Sequence, residues 1–259
     1  MIRQSVVSGT FYPTNPKKLH QMLTHYLVDA THNGLVPKAI IAPHAGYIYS
    51  GPIAASAYAR LKNAKDVITR VVVIGPSHRV AFRGLAVSSA DSFSTPLGDI
   101  PVDKDAVASI INLQFVDYLD QAHAFEHSIE VQLPFLQETL SEFKIVPIVA
   151  GEASPDQVAQ IIDTLWGGDE TLIVISSDLS HYHDYATATK LDLQTSDHIE
   201  RLEYERLSYD SACGKIPVSG LLKSARQKNL SVKTIDLRNS GDTAGDKSRV
   251  VGYGAYVVE

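Results

Sequence analysis

The sequence predicts an α/β fold, a single domain with a largely parallel or mixed central sheet covered by helices. Short β-rich runs recur along the chain, most of them apolar without a break, which suits strands buried on both faces. Between them lie stretches whose apolar residues repeat at helical spacing, and that alternation is the pattern of a sheet wrapped by helices. At ~150 residues per domain, 259 residues allow one large domain or two small ones. No linker, charge block or internal repeat divides the chain, so we favour one domain over residues 1–259.

The elements follow in order. Residues 16–27 carry Leu19, Leu23 and Leu27 at four-residue spacing, the stripe of a helix. Ala39-Ile40-Ile41-Ala42 reads as a buried strand, and residues 51–61 as an Ala-rich helix with Ile53, Ala57 and Leu61 on one stripe. Strands follow at 71–74 and 85–87. Asp103 or Asp105 can cap a helix through Ala106, Val107, Ile110 and Ile111. The run Glu126-His127-Ser128-Ile129-Glu130 leads into a helix that Ser128 caps and Pro134 kinks, with Glu130 favouring the positive end of its dipole. Strands at 145–149 and 172–175 flank a helix capped by Ser154 through Val158, Ile161, Ile162 and Leu165. Residues 184–209 are the least periodic and read as helical, and strands at 232–235 and 255–258 close the chain.

Composition excludes several classes. A 44% hydrophobic and 20% charged chain is ordinary for a globular protein. The net charge of −6, with no basic run, argues against a nucleic-acid partner. The longest apolar runs are strand length, short of the ~20 residues that cross a bilayer. Cys213 is the only cysteine, so no disulfide forms within the chain. With no apolar leader at the N-terminus, we expect a cytoplasmic protein with a reduced thiol.

In open α/β sheets, ligands bind beyond the carboxyl ends of the strands. Three strands here end in a loop with a histidine: Pro43-His44-Ala45-Gly46-Tyr47, Gly75-Pro76-Ser77-His78-Arg79, and Ser176-Ser177-Asp178-Leu179-Ser180-His181. One loop histidine is more often a surface residue than a ligand. Three at one topological level point to metal binding, acid/base work or both. His20, His25, His32 and His198 lie in helical or polar stretches and read as ordinary surface residues, while His123 and His183 are undecided. Glu126 and His127 can face the same pocket. No G-x-S-x-G elbow or Walker loop is present, and Gly252-Tyr253-Gly254 lacks a third glycine and a following helix, which disfavours serine hydrolases and common nucleotide-binding enzymes. Cys213, flanked by Gly214 and Pro217, reads either as a small buried hydrophobe or as a turn that presents a thiolate.

The stretches Ala42-Pro43-His44-Ala45-Gly46-Tyr47, Tyr49-Ser50-Gly51, Gly75-Pro76-Ser77-His78, Thr95-Pro96-Leu97-Gly98, Glu126-His127-Ser128-Ile129-Glu130, Ser176-Ser177-Asp178 with His181, and Cys213-Gly214 together resemble the Memo family. Gly9-Thr10-Phe11-Tyr12-Pro13 and Gly252-Tyr253-Gly254 extend the resemblance over nearly the whole chain. It implies a fold similar to the catalytic (LigB-like) subunit of class III extradiol dioxygenases, non-haem iron enzymes that open catechol rings. Carried over by motif, His44 and His78 are imidazole ligands and His181 is the acid/base histidine, with Cys213 where the dioxygenases have a carboxylate. A His-His-Cys set favours zinc or copper more than an oxygen-rich set does, and iron stays open. Asp178 then orients a ligand histidine or adds a ligand. Bacterial and archaeal relatives resemble protein B of the AmmeMemoRadiSam system, which implies radical-SAM and AMMECR-type partners.

The leading expectation is a metal-dependent oxidoreductase-like protein with metal ligands His44, His78 and Cys213 and catalytic residues His181, Asp178 and His127. Tyr47, Tyr49 and Tyr182 lie close enough in sequence to stack on a small aromatic substrate. Two other readings use the same cleft. One is a non-catalytic protein that binds a peptide or partner, with Arg79 on anionic groups, and the other is a metal carrier.

Overall fold

Every residue of β2 (Ala39–Ala42) and β9 (Thr171–Ser176) is buried, as their unbroken apolar runs require. They lie in the centre of a nine-stranded sheet in a computed structural model that describes residues 1–30 and 33–259. His32 lies outside the described residues. In chain order the elements are β1 (Ile2–Arg3), α1 (Pro16–Asp29), β2, α2 (Tyr47–Tyr58), β3 (Arg70–Pro76), β4 (Leu85–Val87), β5 (Ser92–Thr95), β6 (Gly98–Pro101) and α3 (Lys104–Ile110). Next come β7 (Val116–Tyr118), α4 (Asp120–Ala124), α5 (Leu133–Thr139), β8 (Lys144–Ala150), α6 (Pro155–Thr164) and β9. The chain then forms β10 (His181–His183), α7 (Tyr185–Glu200), α8 (Lys215–Gln227), β11 (Val232–Asn239) and β12 (Val250–Val258).

The sheet is mixed. Strands β2, β9, β3 and β8 run parallel and side by side. β12 adds antiparallel to β2 and carries β11 on its other side, while β4 pairs antiparallel with β8 and parallel with β7. β1, β5 and β6 form a separate three-stranded sheet. α2 packs on β2 and β12 and is braced by α1 and α5, while α8 packs on β3 and β9 and against α6. The α6–α8 contact is close because Gly220 has no side chain: an added Cβ would stand 2.3 Å from Val158. One continuous apolar core runs through these layers.

The expected strands all form, and several extend by a few residues. Asp103, not Asp105, caps α3 by accepting from the Ala106 N–H, and Ser154 caps α6 in a reciprocal box with Gln157. The weak periodicity of residues 184–209 has a physical cause. Asp184 caps α7 with two N–H contacts, but the buried face of that helix includes Asp192, Thr195 and Ser196, so hydropathy alone hides it. α8 escapes the sequence pattern for a similar reason, since Pro217, Ser219, Gly220 and Ser224 occupy its buried positions. The short strands β1, β5, β6, β7 and β10 are two to four residues each, too brief for periodicity to show.

The reading of residues 126–140 needs correction. Ser128 caps no helix; its hydroxyl donates to the Pro76 carbonyl at 2.9 Å. Pro134 sits in the first turn of α5, where no intrahelical N–H is needed, and starts the helix without kinking it. Glu130 is structural, as expected, but through an ion pair and not a helix dipole. Its fully buried carboxylate pairs with Arg3 and accepts from the Val6 and Val7 N–H groups and the Tyr12 hydroxyl, tying the N-terminal segment to the core. Removing one partner of a buried pair strands the other charge. Glu130→Ala is therefore expected to cost about 3–5 kcal/mol, read as a drop in the urea midpoint. A loss below about 1 kcal/mol would contradict this role.

Candidate metal centre

Register brings the three histidine loops together. Ala42 stands beside Ser176 and Ile74 beside Ile175, so β2, β9 and β3 end at one level. The loops beyond carry His44, Asp178 with His181, and His78. Cys213 arrives from the turn before α8, which backbone contacts clamp onto the β9 loop: the Cys213 N–H donates to the Asp178 carbonyl, and the Asp178 N–H donates to Cys213 Sγ at 3.3 Å. The next residue must be glycine, because a Cβ on Gly214 would stand 2.5 Å from the Ser177 Cβ.

Hydrogen bonding decides which ring nitrogen of each histidine is free. His44 Nδ1 meets Ser176 Oγ at 2.8 Å. The one hydroxyl proton of Ser176 is spent on the Ser128 carbonyl at 2.5 Å, and Ser176 Oγ also accepts from Gln132 Nε2. Gln132 cannot be turned around, since the same nitrogen donates to the Pro43 carbonyl while its oxygen accepts from Tyr58. His44 must therefore donate through Nδ1–H, which leaves a lone pair on Nε2 facing Cys213 Sγ at 3.3 Å. His78 is set in the same sense by a charge. Its Nδ1 lies 2.9 Å from Glu126 Oε1, and its backbone N–H donates to Oε2. Glu126 also accepts from the His127 and Ser128 N–H groups. Burial pushes its pKa up, but the hydrogen bond and charge of His78 and these N–H contacts outweigh that and hold it at about 2. As an anion it keeps the proton on His78 Nδ1, so Nε2 is again the free nitrogen.

Donor atoms of His44, His78 and Cys213 all lie within 4.8 Å of one another. Ligand atoms around a tetrahedral ion stand about 3.5 Å apart, given metal–ligand bonds of about 2.0–2.3 Å, so only a small contraction closes the set. Two imidazoles and a sulfur suit zinc, copper or iron, and three protein ligands leave a position open to the cleft. A second cluster of His78, Glu126 and His127 is also close enough, but the Glu126 oxygens are already engaged by four donors.

Burial shapes the charges. His44 is pushed well below the usual imidazole range by burial, helped by its neighbours His78, His127 and His181. His127 stacks on His78 at 4.6 Å and meets Phe11 edge-on at 5.0 Å, and burial holds its pKa at about 4. Burial and the nearby Asp178 push the Cys213 thiol up to about 12. In the chain without a cation Cys213 is thus a largely buried group, and its Sγ still faces His44 Nε2 at 3.3 Å. Asp178 is itself raised by burial, and it accepts the His44 backbone N–H at 2.7 Å. It braces the loop under His44 and does not reach the converging donor set.

The cleft above these residues has a volume of about 1270 Å³. His181 lines it with Nδ1 committed to the Leu179 carbonyl at 2.8 Å and Nε2 free. His183, Tyr49 and Tyr182 line it too. Tyr47 does not: it is buried against Tyr12 and Phe135, with its hydroxyl on the Val131 carbonyl. His123 is buried away from the cleft, bonded to the Ala86 carbonyl. His20, His25 and His198 pair with carboxylates elsewhere. No spacing in the sequence marks Ser176, Gln132 or Arg249 as a site residue. Gln132 lies in a segment with no strand-end signal, and only the tertiary fold brings it under His44.

Comparison with known proteins places these motifs in a family context. Residues 3–257 match the Memo-like protein family. A MEMO1 family protein of Aquifex aeolicus is 36% identical, covering 97% of each chain, and one of Sulfolobus acidocaldarius is 35% identical, covering 98% of each. The solved structure of an uncharacterized protein from Escherichia coli K12 superposes with a TM-score of 0.54 at 12% identity, covering 85% of this chain and 98% of that one. That likeness is one of fold.

Protonation of the buried histidines sets an acid limit to stability. His44, His123 and His127 all lie below the ordinary imidazole value in the folded chain, His123 and His127 at about 4. The unfolded chain therefore binds protons first as pH falls. The stability these neutral rings contribute is full above about pH 6.5 and is lost as pH drops toward 4. The urea midpoint is expected to fall between about pH 7 and pH 5 with unchanged slope, with His127 titrating near 4 by NMR. A flat profile over that range would contradict the burial of neutral rings.

Proposed function

The chain belongs to the Memo-like family, and from that premise we propose that it is a metalloprotein. One iron, copper or zinc ion is held by His44 Nε2, His78 Nε2 and Cys213 Sγ, and the protein acts as a metal-dependent oxidoreductase on a small planar substrate in the cleft. The observation that carries this reading is the 3.3 Å approach of His44 Nε2 to Cys213 Sγ, with the proton of His44 committed elsewhere. A bound ion supplies polarisation of a substrate oxygen and, if redox-active, electron exchange.

The chain's own residues do the rest. Ser176 and Glu126 hold the two imidazoles in the ligating tautomer. Asp178 fixes the backbone of His44. His181, with its free Nε2 on the cleft, takes or returns a substrate proton. His127 stays neutral beside His78 and presents a second unprotonated ring. Cys213 must shed its proton to ligate, so ion affinity rises with pH. The radical-SAM and AMMECR-type partners implied by the resemblance belong to this proposal.

Metal analysis of protein purified without oxygen is expected to find close to one ion per chain, lost in His44→Ala, His78→Ala and Cys213→Ser. Unchanged metal content in all three would sink the ligand set. Ser176→Ala removes the acceptor for His44 Nδ1–H and is expected to weaken ion affinity about 10–100-fold by competition titration. Affinity should also fall about tenfold per pH unit on acidification across the neutral range, one thiol proton being displaced. Oxygen uptake with a panel of catechols then tests turnover in the loaded protein.

A further inference from the structure

Eight of the ten arginines in the chain pair with a carboxylate, from Arg3 with Glu130 to Arg238 with Asp236. Among the described residues the two without such a partner are Arg79, beside His78 in the chain, and Arg249, in the cleft wall. Arg79 follows His78, and its charge acts on His127. Arg249 lines the cleft, with its guanidinium over the ring of Tyr182 at 4.7 Å. Asp210 and Asp246 line the same cleft, yet neither forms an ion pair with it.

Tyr182 is placed there at a conformational cost. In a regular strand it would point away from the face shared by His181 and His183. Its φ of +64° is left-handed, which a bulky side chain rarely adopts. The pairing of β10 with β12 is irregular at the same point, with His181 opposite Val251 and His183 opposite Val250. The result is that His181, Tyr182 and His183 all line the cleft and Tyr182 lies beside Arg249. Tyr182 remains 63% exposed, so burial does not explain the strain. Strained residues of this kind persist where a site uses them.

We propose that Arg249 and Tyr182 form an anion subsite in the cleft wall for a planar aromatic ligand that bears an oxyanion, a carboxylate or a phosphate. Tyr182 supports the flat guanidinium from one side and leaves its N–H edge for two parallel hydrogen bonds to the oxyanion. The ligand ring lies along the aromatic wall of Tyr49 and Tyr253, toward the histidines. This subsite rests on the reading of the cleft as a substrate site but needs no metal.

The test is a titration of chelator-treated, metal-free protein with 4-fluorobenzoate, its neutral counterpart 4-fluorobenzamide, and 4-fluorophenyl phosphate, followed by fluorine NMR. Wild type is expected to bind at least one of the two anions roughly tenfold or more tighter than the amide, as a charge-assisted pair provides. Arg249→Met should abolish that preference, Arg79→Met should retain it, and Tyr182→Gly, which relieves the backbone, should weaken all three probes. Urea midpoints confirm that each variant folds. The tighter-binding anion identifies the headgroup. Equal binding of anions and amide in wild type, or a preference that survives Arg249→Met, overturns the proposal. Since no ion is present, a failure of the metal ligand set leaves this result standing, and the reverse holds as well.

Discussion

Three parallel strands that end at one level force their polar loops into the same few ångströms, and the rest of the site follows from that crowding. β2 and β9 are buried along their length and β3 is buried beyond Arg70, so the groups beneath the loops lie in a packed environment. Most polar atoms there are hydrogen-bonded within the protein, although Ser180 Oγ and His127 Nδ1 are not. The Ser176 hydroxyl shows how tight the accounting is: with a single proton and three neighbours, its bonds leave His44 one tautomer. A change at Gln132 or Ser128, neither of which faces the cleft, would be felt at His44.

The two imidazoles are held by unlike means. His44 leans on a neutral relay of Ser176, Gln132 and Tyr58, whereas His78 leans on the ionised Glu126. A carboxylate partner makes an imidazole a stronger donor. The protein thus builds one electron-rich, accessible histidine and one buried, neutral histidine next to a thiol. Burial raises the pKa of that thiol, so on the proposed reading a cation would have to displace its proton.

Charge is distributed differently at the two depths of the cleft. On the floor, burial disfavours charge on His44, His127 and Cys213, while Glu126 is held as an anion by the donors around it. The wall holds Arg249, supported by an aromatic ring and unpaired.

The sequence by itself determined the α/β class, the main strands, the helix cap at Ser154, and the loops of His44, His78 and His181, and it left the cap of α3 between Asp103 and Asp105. These are local properties: apolar runs set strands, and chemistry at their ends follows from chain direction. The Memo motifs added Cys213, which spacing alone left open. Only the tertiary structure decided the tautomers, the burial of the thiol, the removal of Tyr47 from the cleft, and the places of Gln132, Ser176 and Arg249. Those depend on contacts across dozens of residues. Glu130 makes the difference plain, since next to a helix it reads as a dipole partner, and only folding brings Arg3 from the far end of the chain to it. Hydrogen-bond direction and desolvation are properties of a packed environment, and no periodicity in the chain encodes them.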